Sequence, residues 1–278
     1  FAWLQLYLIL IVWMFFQTQF FRLFVDLFQA NQDDDCLIIT INTKGNPLNN
    51  LSDAFSDSFK ECALLAAKND TLKAIIVTGK GPMFSAGAYL PELMAQDTAG
   101  ASRLAKKGNS IWSLMESVPL VTLAAVNGMC FGGGLELALC CDFRIASSRA
   151  KFGQTEVNLG LIPGWGGGQR LVSLLGRTKA LDLVLSGRLF RADEAFEMGL
   201  IQKVSKPKEL IDDAKEFLQP YLVKNKQTIA LAKQSLGLHL EMLQKDALAR
   251  EADLVAESWS LETTKKTISD FQNKNLDQ

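Results

Sequence analysis

The chain has a single histidine, His239, among its 278 residues, and that scarcity closes off two kinds of chemistry. One imidazole cannot build a multi-histidine metal site, and its distance along the chain from the glycine turns described below argues against a Ser-His-Asp triad. In the helical-looking stretch LGLHLEM it reads as a plain helix residue. Paired cysteine spacing is missing too. Cys36, Cys62, Cys130, Cys140 and Cys141 contain no CxxC, and an odd number with two adjacent members reads as reduced, mostly buried thiols in a reducing compartment. Neither sign of charge dominates: the formal net charge is −1, no basic stripe runs along the chain, and no nucleic-acid partner is expected. The length and the 48% apolar composition suit one large domain with a substantial core, or one domain with an appended segment.

Long apolar runs are confined to the start. Residues 1–28 are rich in aromatics, and Arg22 and Asp26 are their only charges. Phe1 to Phe16 is apolar except for Gln5, about 24 Å as a helix, slightly short of a bilayer core of roughly 30 Å. Three readings stand side by side. The segment is a membrane anchor or a helix lying on a membrane surface; or a cleaved targeting peptide, although the basic start, the small-residue cleavage site and the arginine-rich amphipathic pattern are all missing; or the product of a truncated or mis-translated reading frame. The expected organisation is this apolar segment (1–28), a polar, acidic linker (29–35), a core domain (36–205) and a helical C-terminal region (206–278).

The chemistry concentrates between Asn127 and Arg170, NGMCFGGGLELALCCDFRIASSRAKFGQTEVNLGLIPGWGGGQR. The apolar run Val121 to Val126 suits a buried strand, and Gly132, Gly133 and Gly134 open an apolar segment of helical character. The first N–H groups of a helix lack internal partners and sit at the positive end of its dipole. Without Cβ atoms to hold a substrate away, those groups can meet a carbonyl oxygen that turns negative during reaction. Glu136 falls in the first turn of that helix, and a second carboxylate, Glu156, follows the motif KFGQTE. A second strand, Ala74 to Thr78, leads into GKGPMFSAGAYL, where Ala86, Gly87 and Ala88 can bring a further N–H to the same oxygen. Two N–H donors and two carboxylates suit enolate chemistry on a thioester. IPGWGGGQR is a glycine-rich loop, but it has neither the GKS/T of a P-loop nor the acidic partner of a dinucleotide site.

At these residues the chain resembles the enoyl-CoA hydratase/isomerase, or crotonase, superfamily. The family pattern of a strand ending in NG, then GGG-x-E-LALxCD-xRIA, A-x-FG-x-x-E and LGxIPG-x-GG-x-QRL is present without a gap. The resemblance implies an α/β fold, a crotonase-type spiral of ββα repeats with a helical C-terminal region. It implies hydration of trans-2-enoyl-CoA to 3-hydroxyacyl-CoA by Glu136 and Glu156, with Ala88 and Gly133 as the oxyanion N–H donors. Glu136 would activate the water and Glu156 would handle the C2 proton, although the shared water couples the two. Ala86, Ala88, Tyr89, Leu90, Pro91, Gly133 and Trp165 are the substrate-binding candidates. No cofactor or metal is called for, since coenzyme A arrives as part of the substrate. The C-terminal region would make homotrimer or hexamer contacts, with Lys265, Lys266 and Lys274 as candidates for the CoA phosphates, and the location would be the cytoplasm or the mitochondrial matrix, with membrane contact through residues 1–28 an open alternative.

Departures from the pattern narrow the reading. Tyr89 stands where many relatives carry an acidic residue, and the tail TTKKTISDFQNKN replaces the usual ending. The stretch PGWG, Pro163 to Gly166, holds no carboxylate, which excludes the related dehalogenases that need a nucleophilic Asp there. Trp165 is positioned to narrow an acyl pocket or to pack on the surface. Ser102 to Met115 reads as a helix that is chiefly core, with lining of an acyl pocket the alternative. Two other functions remain open from sequence: an enoyl-CoA double-bond isomerase, which needs one base and no water, and a catalytically inactive membrane-associated scaffold.

Overall fold

The computed structural model describes residues 26–233 and, beyond them, Leu236, Asp253, Val255, Ala256, Trp259, Lys265, Lys266, residues 268–270, Gln272 and Asn273. His239, Lys274 and most of the apolar N-terminal segment lie outside the described residues, so the readings made of them have no counterpart below. Among the described residues no helix is long and apolar enough to cross a membrane.

Two sheets are laid down alternately by one repeating unit. The strands β3 (Ala74–Gly79), β5 (Val121–Val126) and β7 (Phe143–Ser147) run parallel in the larger sheet. Each is followed by a short strand of the smaller one: β4 (Met83–Ser85), β6 (Met129–Phe131) and β8 (Lys151–Gly153). The helices α2 (Leu90–Met94) and α3 (Thr98–Ser117) follow β4, and α4 (Gly133–Leu139) follows β6. This is the crotonase-type ββα spiral that the motifs imply. With β1 (Phe28–Asp33), β2 (Cys36–Ile41) and β10 (Lys203–Ser205), the larger sheet reads β1-β2-β3-β5-β7-β10; β9 (Phe190–Arg191) closes the smaller as β4-β6-β8-β9. β5 is buried along its whole length, as a strand covered on both faces must be.

Four local expectations from the sequence are corrected: the linker at 29–35, a helix capped near Ser52 that carries Leu51 on its buried face, Asp193 as the cap of a helix starting at Arg191, and a helical break at Pro220. The acidic stretch Gln29 to Asp35 is not a linker: its residues through Asp33 form β1, antiparallel to β2 from Phe28 opposite Ile41 to Asp33 opposite Cys36. Asp34 makes the turn at φ +51, a left-handed conformation that a short acidic side chain tolerates. Leu51 does not belong to the helix that follows it. That helix, α1 (Asp53–Lys68), starts at the N-cap Ser52, whose Oγ accepts from the Phe55 N–H, and buries Phe55, Phe59, Cys62, Ala63 and Ala66; Leu51 instead bridges to Ala88. Helix α7 (Ala192–Glu197) takes Arg191 as its N-cap with no side-chain bond, leaving Asp193 in the first turn. Pro220 does not break helix α8 (Leu210–Leu222), which runs through it.

The boundary at residue 205 also moves. Leu210, Ala214, Leu218 and Leu222 recur along one face of α8 and pack with Ile76, Leu123 and Ile145 of the larger sheet. Residues 206–222 therefore complete the core rather than begin a separate region. On the other side of that sheet, Phe28, Phe55, Phe59, Trp112 and Trp165 form a chain of ring contacts with neighbouring centroids 5.5–5.9 Å apart, which runs from the first strand to the mouth of the site.

Candidate active site

The two glycine turns are tied together by one side chain. Asn127, at the end of β5, accepts from the Gly79 N–H at 2.9 Å and donates through Nδ2 to the Gly81 carbonyl at 2.9 Å, so the loop leaving β3 and the loop leaving β5 are locked in register. Leu51 orients the first of them. Its N–H donates to the Gly87 carbonyl and its carbonyl accepts from the Tyr89 N–H. Backbone groups alternate along an extended chain, so the Ala88 N–H between them faces the opposite side. The second loop enters α4 through Gly132, at φ +50 and ψ −124, a conformation that suits glycine. Next to it the backbones approach closely: a Cβ on Gly134 would stand 2.4 Å from the Ser85 carbonyl oxygen.

The outcome is convergence. The Cβ position of Gly133 lies 3.2 Å from the Ala88 nitrogen, and that of Gly87 lies 2.9 Å from the Gly133 nitrogen. Neither the Ala88 nor the Gly133 N–H donates to any group among the described residues. Both residues line a cavity of about 680 Å³, together with Glu136, Glu156 and every other candidate read from sequence: Ala86, Tyr89, Leu90, Pro91 and Trp165.

The two carboxylates are held differently. Glu136 is 2% exposed, and its Oε1 accepts from the backbone N–H groups of Trp165 and Gly167, each at 2.8 Å. Burial pushes its carboxyl up from 4.5 to about 7, against the pull of the Gly167 and Trp165 N–H groups and the Arg170 guanidinium. Arg170, on α5 (Gly167–Leu175), is itself held by Glu116 Oε1 and Oε2 at 2.8 Å and donates to the Trp165 carbonyl. Glu156 begins a 3-10 turn, Glu156–Leu159, and is half-buried. Gln154 Nε2 donates to both Glu156 oxygens at 3.0 Å, and Glu156 Oε1 lies 2.9 Å from the Cβ position of Gly132.

Trp165 enters the cavity instead of packing on the surface. Its indole lies against α3 and the glycine turn, so close that a Cβ on Gly108 would come within 2.2 Å of the ring and one on Gly133 within 2.7 Å. The stretch Ser102 to Met115 divides its work along α3: Ile111, Trp112 and Met115 are core, while Leu104, Ala105 and Gly108 face the cavity. The loop NPLNN contributes Leu48 and Asn50 to the wall.

Several wall and support residues escaped the sequence reading. Leu161, Ile162, Val255 and Trp259 close an apolar end with Leu93 and Ala105, and Trp259 Nε1 is anchored on the Gln96 carbonyl at 2.8 Å. Trp259 and Gln96 stand 163 residues apart in the chain, and no local pattern signals such a contact. Gln154 and Arg170 stood inside the motifs FGQTE and GGQR, and that placement was the one available signal. Lys265 and Lys266 are exposed.

Comparison with known proteins identifies the family. The profile of the enoyl-CoA hydratase/isomerase family matches residues 33–277. A short-chain-enoyl-CoA hydratase of Clostridium acetobutylicum is 37% identical over 241 residues, covering 85% of this chain and 91% of its own. A crotonyl-CoA hydratase of Syntrophomonas wolfei is 36% identical over 76% of this chain and 82% of its own. The crystal structure of an enoyl-CoA hydratase from Bacillus halodurans superposes with a TM-score of 0.81 at 26% identity, covering 87% of this chain and 99% of that one. On its sequence and its fold, the chain belongs to the enoyl-CoA hydratase/isomerase family of the crotonase superfamily.

Proposed function

We propose that this enzyme adds water across the C2–C3 double bond of trans-2-enoyl-CoA thioesters, giving 3-hydroxyacyl-CoA. The observation that carries the reading is the meeting of two N–H groups, those of Ala88 and Gly133, that have no acceptor among the described residues, in a cavity that both glutamates line. A thioester oxygen seated between those donors gains negative charge as the water oxygen bonds to C3 and the π electrons move toward C2. Preorganised donors favour that charge over the neutral ground state, and losing one typically costs about 3–4 kcal/mol. One glutamate receives the proton released by water and the other delivers a proton to C2, so the pair finishes with as many protons as it began. Each positioned acid or base contributes roughly 10²–10⁴ in rate. No further cofactor is required, because neither step transfers electrons to or from the substrate.

Assembly follows the family in this reading. Val172, Leu174, Leu181, Leu185 and Phe196 are exposed on α5, α6 (Arg177–Ser186) and α7, and these apolar side chains are the residues assigned here to contact with further copies of the chain in a trimer or hexamer. Sedimentation of the purified protein tests the assembly.

The activity is tested with crotonyl-CoA, following loss of the enoyl-thioester absorbance and identifying the product. Formation of 3-hydroxybutyryl-CoA, abolished in the double variant Glu136→Gln/Glu156→Gln, is the expected result. Migration of the double bond of a 3-enoyl-CoA with no hydration would replace the reading with an isomerase, and activity undiminished in the double variant would remove the glutamates from it.

A further inference from the structure

Gln154 has no exposed surface and stands behind the cavity wall, among residues that do not line it. Its side chain spans the space between the two glutamates. At one end Nε2 donates to both oxygens of Glu156 at 3.0 Å. At the other, Oε1 has no donor among the described residues. That oxygen and Glu136 Oε1 each lie 2.9 Å from the point that a Cβ on Gly167 would occupy, so an orphaned acceptor faces a carboxyl oxygen already taken by the Trp165 and Gly167 N–H groups. A buried amide is normally turned so that both ends are satisfied. This one keeps its positive end on one carboxylate and its negative end beside the other.

We propose that Gln154 is a positioning residue that breaks the symmetry of the glutamate pair: its amide dipole places the pair's shared proton on Glu136 and its negative charge on Glu156. The N–H₂ end favours a charged Glu156, and the carbonyl end disfavours a charge on Glu136. The other groups facing Glu136 do not supply this bias. Arg170 from α5 and the Gly167 and Trp165 N–H groups favour its ionised form, Arg170 being itself paired with Glu116 of α3; Cys140 follows on its own helix. Among the described residues, Asp53, Glu92 and Glu156 are the other acidic groups that line the cavity, and none of them is among the causes of the shift at Glu136. The inference rests on the proposed hydration for its consequence. A proton on Glu136 with charge on Glu156 is the state left after Glu136 has taken the proton of water and Glu156 has protonated C2. It is equally the state from which a 3-hydroxyacyl thioester loses water, so Gln154 stabilises the product-side protonation of the pair.

The test follows the Glu136 carboxyl by infrared difference spectroscopy against Glu136→Gln, without substrate, in wild type and in Gln154→Met, which keeps length and bulk but carries no dipole. The midpoint of the Glu136 titration should fall in Gln154→Met by about one pH unit, tenfold in proton affinity, the scale on which a supporting partner acts. With crotonyl-CoA, kcat for hydration should not fall and should rise by up to about tenfold, because the bias holds the resting pair in the state left after hydration, while KM stays within about twofold, because Gln154 does not touch the cavity. A loss of kcat with an unmoved or raised midpoint would reduce Gln154 to a packing role and overturn the proposal. Should Gln154→Met fail to fold, wild-type spectra just below neutral pH, compared with those of Glu136→Gln and Glu156→Gln, decide the matter: a protonated carboxyl assigned to Glu156 overturns it. The spectra need no turnover, so failure of the hydration assay leaves this result readable, and failure of the titration leaves hydration standing.

Discussion

Replacing Glu136 by Gln should uncouple stability from pH in a window that the wild-type chain cannot avoid. Glu136 is buried, and its carboxyl is raised from 4.5 to about 7, with burial the largest cause. Between those two values the folded chain holds a proton that the unfolded chain has released. Folding there takes up a proton, so wild-type stability falls as pH rises from the unfolded value through the folded one. A shift of that size corresponds to about 3 kcal/mol. Gln cannot ionise, and its side-chain oxygen can still accept the Trp165 and Gly167 N–H groups that now meet Glu136 Oε1. Urea unfolding of both proteins, followed by circular dichroism from below pH 4.5 to above pH 7, should therefore show the variant gaining about 3 kcal/mol on wild type across the window. Parallel stability profiles would refute the reasoning, because they would mean that Glu136 is not penalised by its burial. On the proposed mechanism the same variant should lose roughly 10²–10⁴ in kcat, so stability at high pH and activity move in opposite directions.

Three further outcomes follow from the site. In Gly133→Ala the new methyl would meet Trp165 ring carbons at 2.7 and 2.9 Å, so thermal melts should show a loss of about 1–3 kcal/mol and hydration should slow by up to about 10²–10³ as the N–H shifts; wild-type turnover in this variant would count against the paired donors. Trp165→Ala opens the space beside Gly108 and Gly133, and kcat/KM for longer or branched enoyl thioesters should rise relative to crotonyl-CoA by about tenfold or more, whereas an unchanged chain-length profile would show that the indole is not the wall. Burial pushes the Cys62 thiol up to about 12 and that of Cys36, beside Asp35, to about 11; both should resist an aromatic disulfide reagent at mildly alkaline pH until the chain is unfolded, and rapid labelling of the native protein would contradict their placement.

The two glutamates of the site, the glycine turns and the alternation of strand and helix were legible because each depends on neighbours in sequence. Gly132 to Glu136 is one helix start, and its backbone chemistry follows from three glycines in a row wherever that helix sits. Local reasoning failed where a distant partner decided the matter. The stretch Gln29 to Asp35 is polar enough to read as a linker, yet pairing with β2 satisfies its backbone and makes its first five residues a strand. Leu51 continues the apolar spacing of α1 but is held in the bridge to Ala88, where it turns the Ala88 N–H toward the cavity. Pro220 reads as a breaker, but α8 is fixed against the sheet by Leu210, Ala214, Leu218 and Leu222, and packing along a whole face outweighs one missing N–H.

The sequence by itself determined the family, the spiral of repeats and the identity of the groups able to donate and accept protons, because those lie in contiguous motifs whose local geometry is set by glycine, strand and helix start. Only the tertiary structure decided that Ala88 and Gly133 face each other, that Trp165 enters the cavity, that Val255 and Trp259 close its apolar end, and that Glu136 and Glu156 differ in their surroundings. Burial and the direction of a dipole depend on what the rest of the chain brings alongside, and no spacing between residues records it.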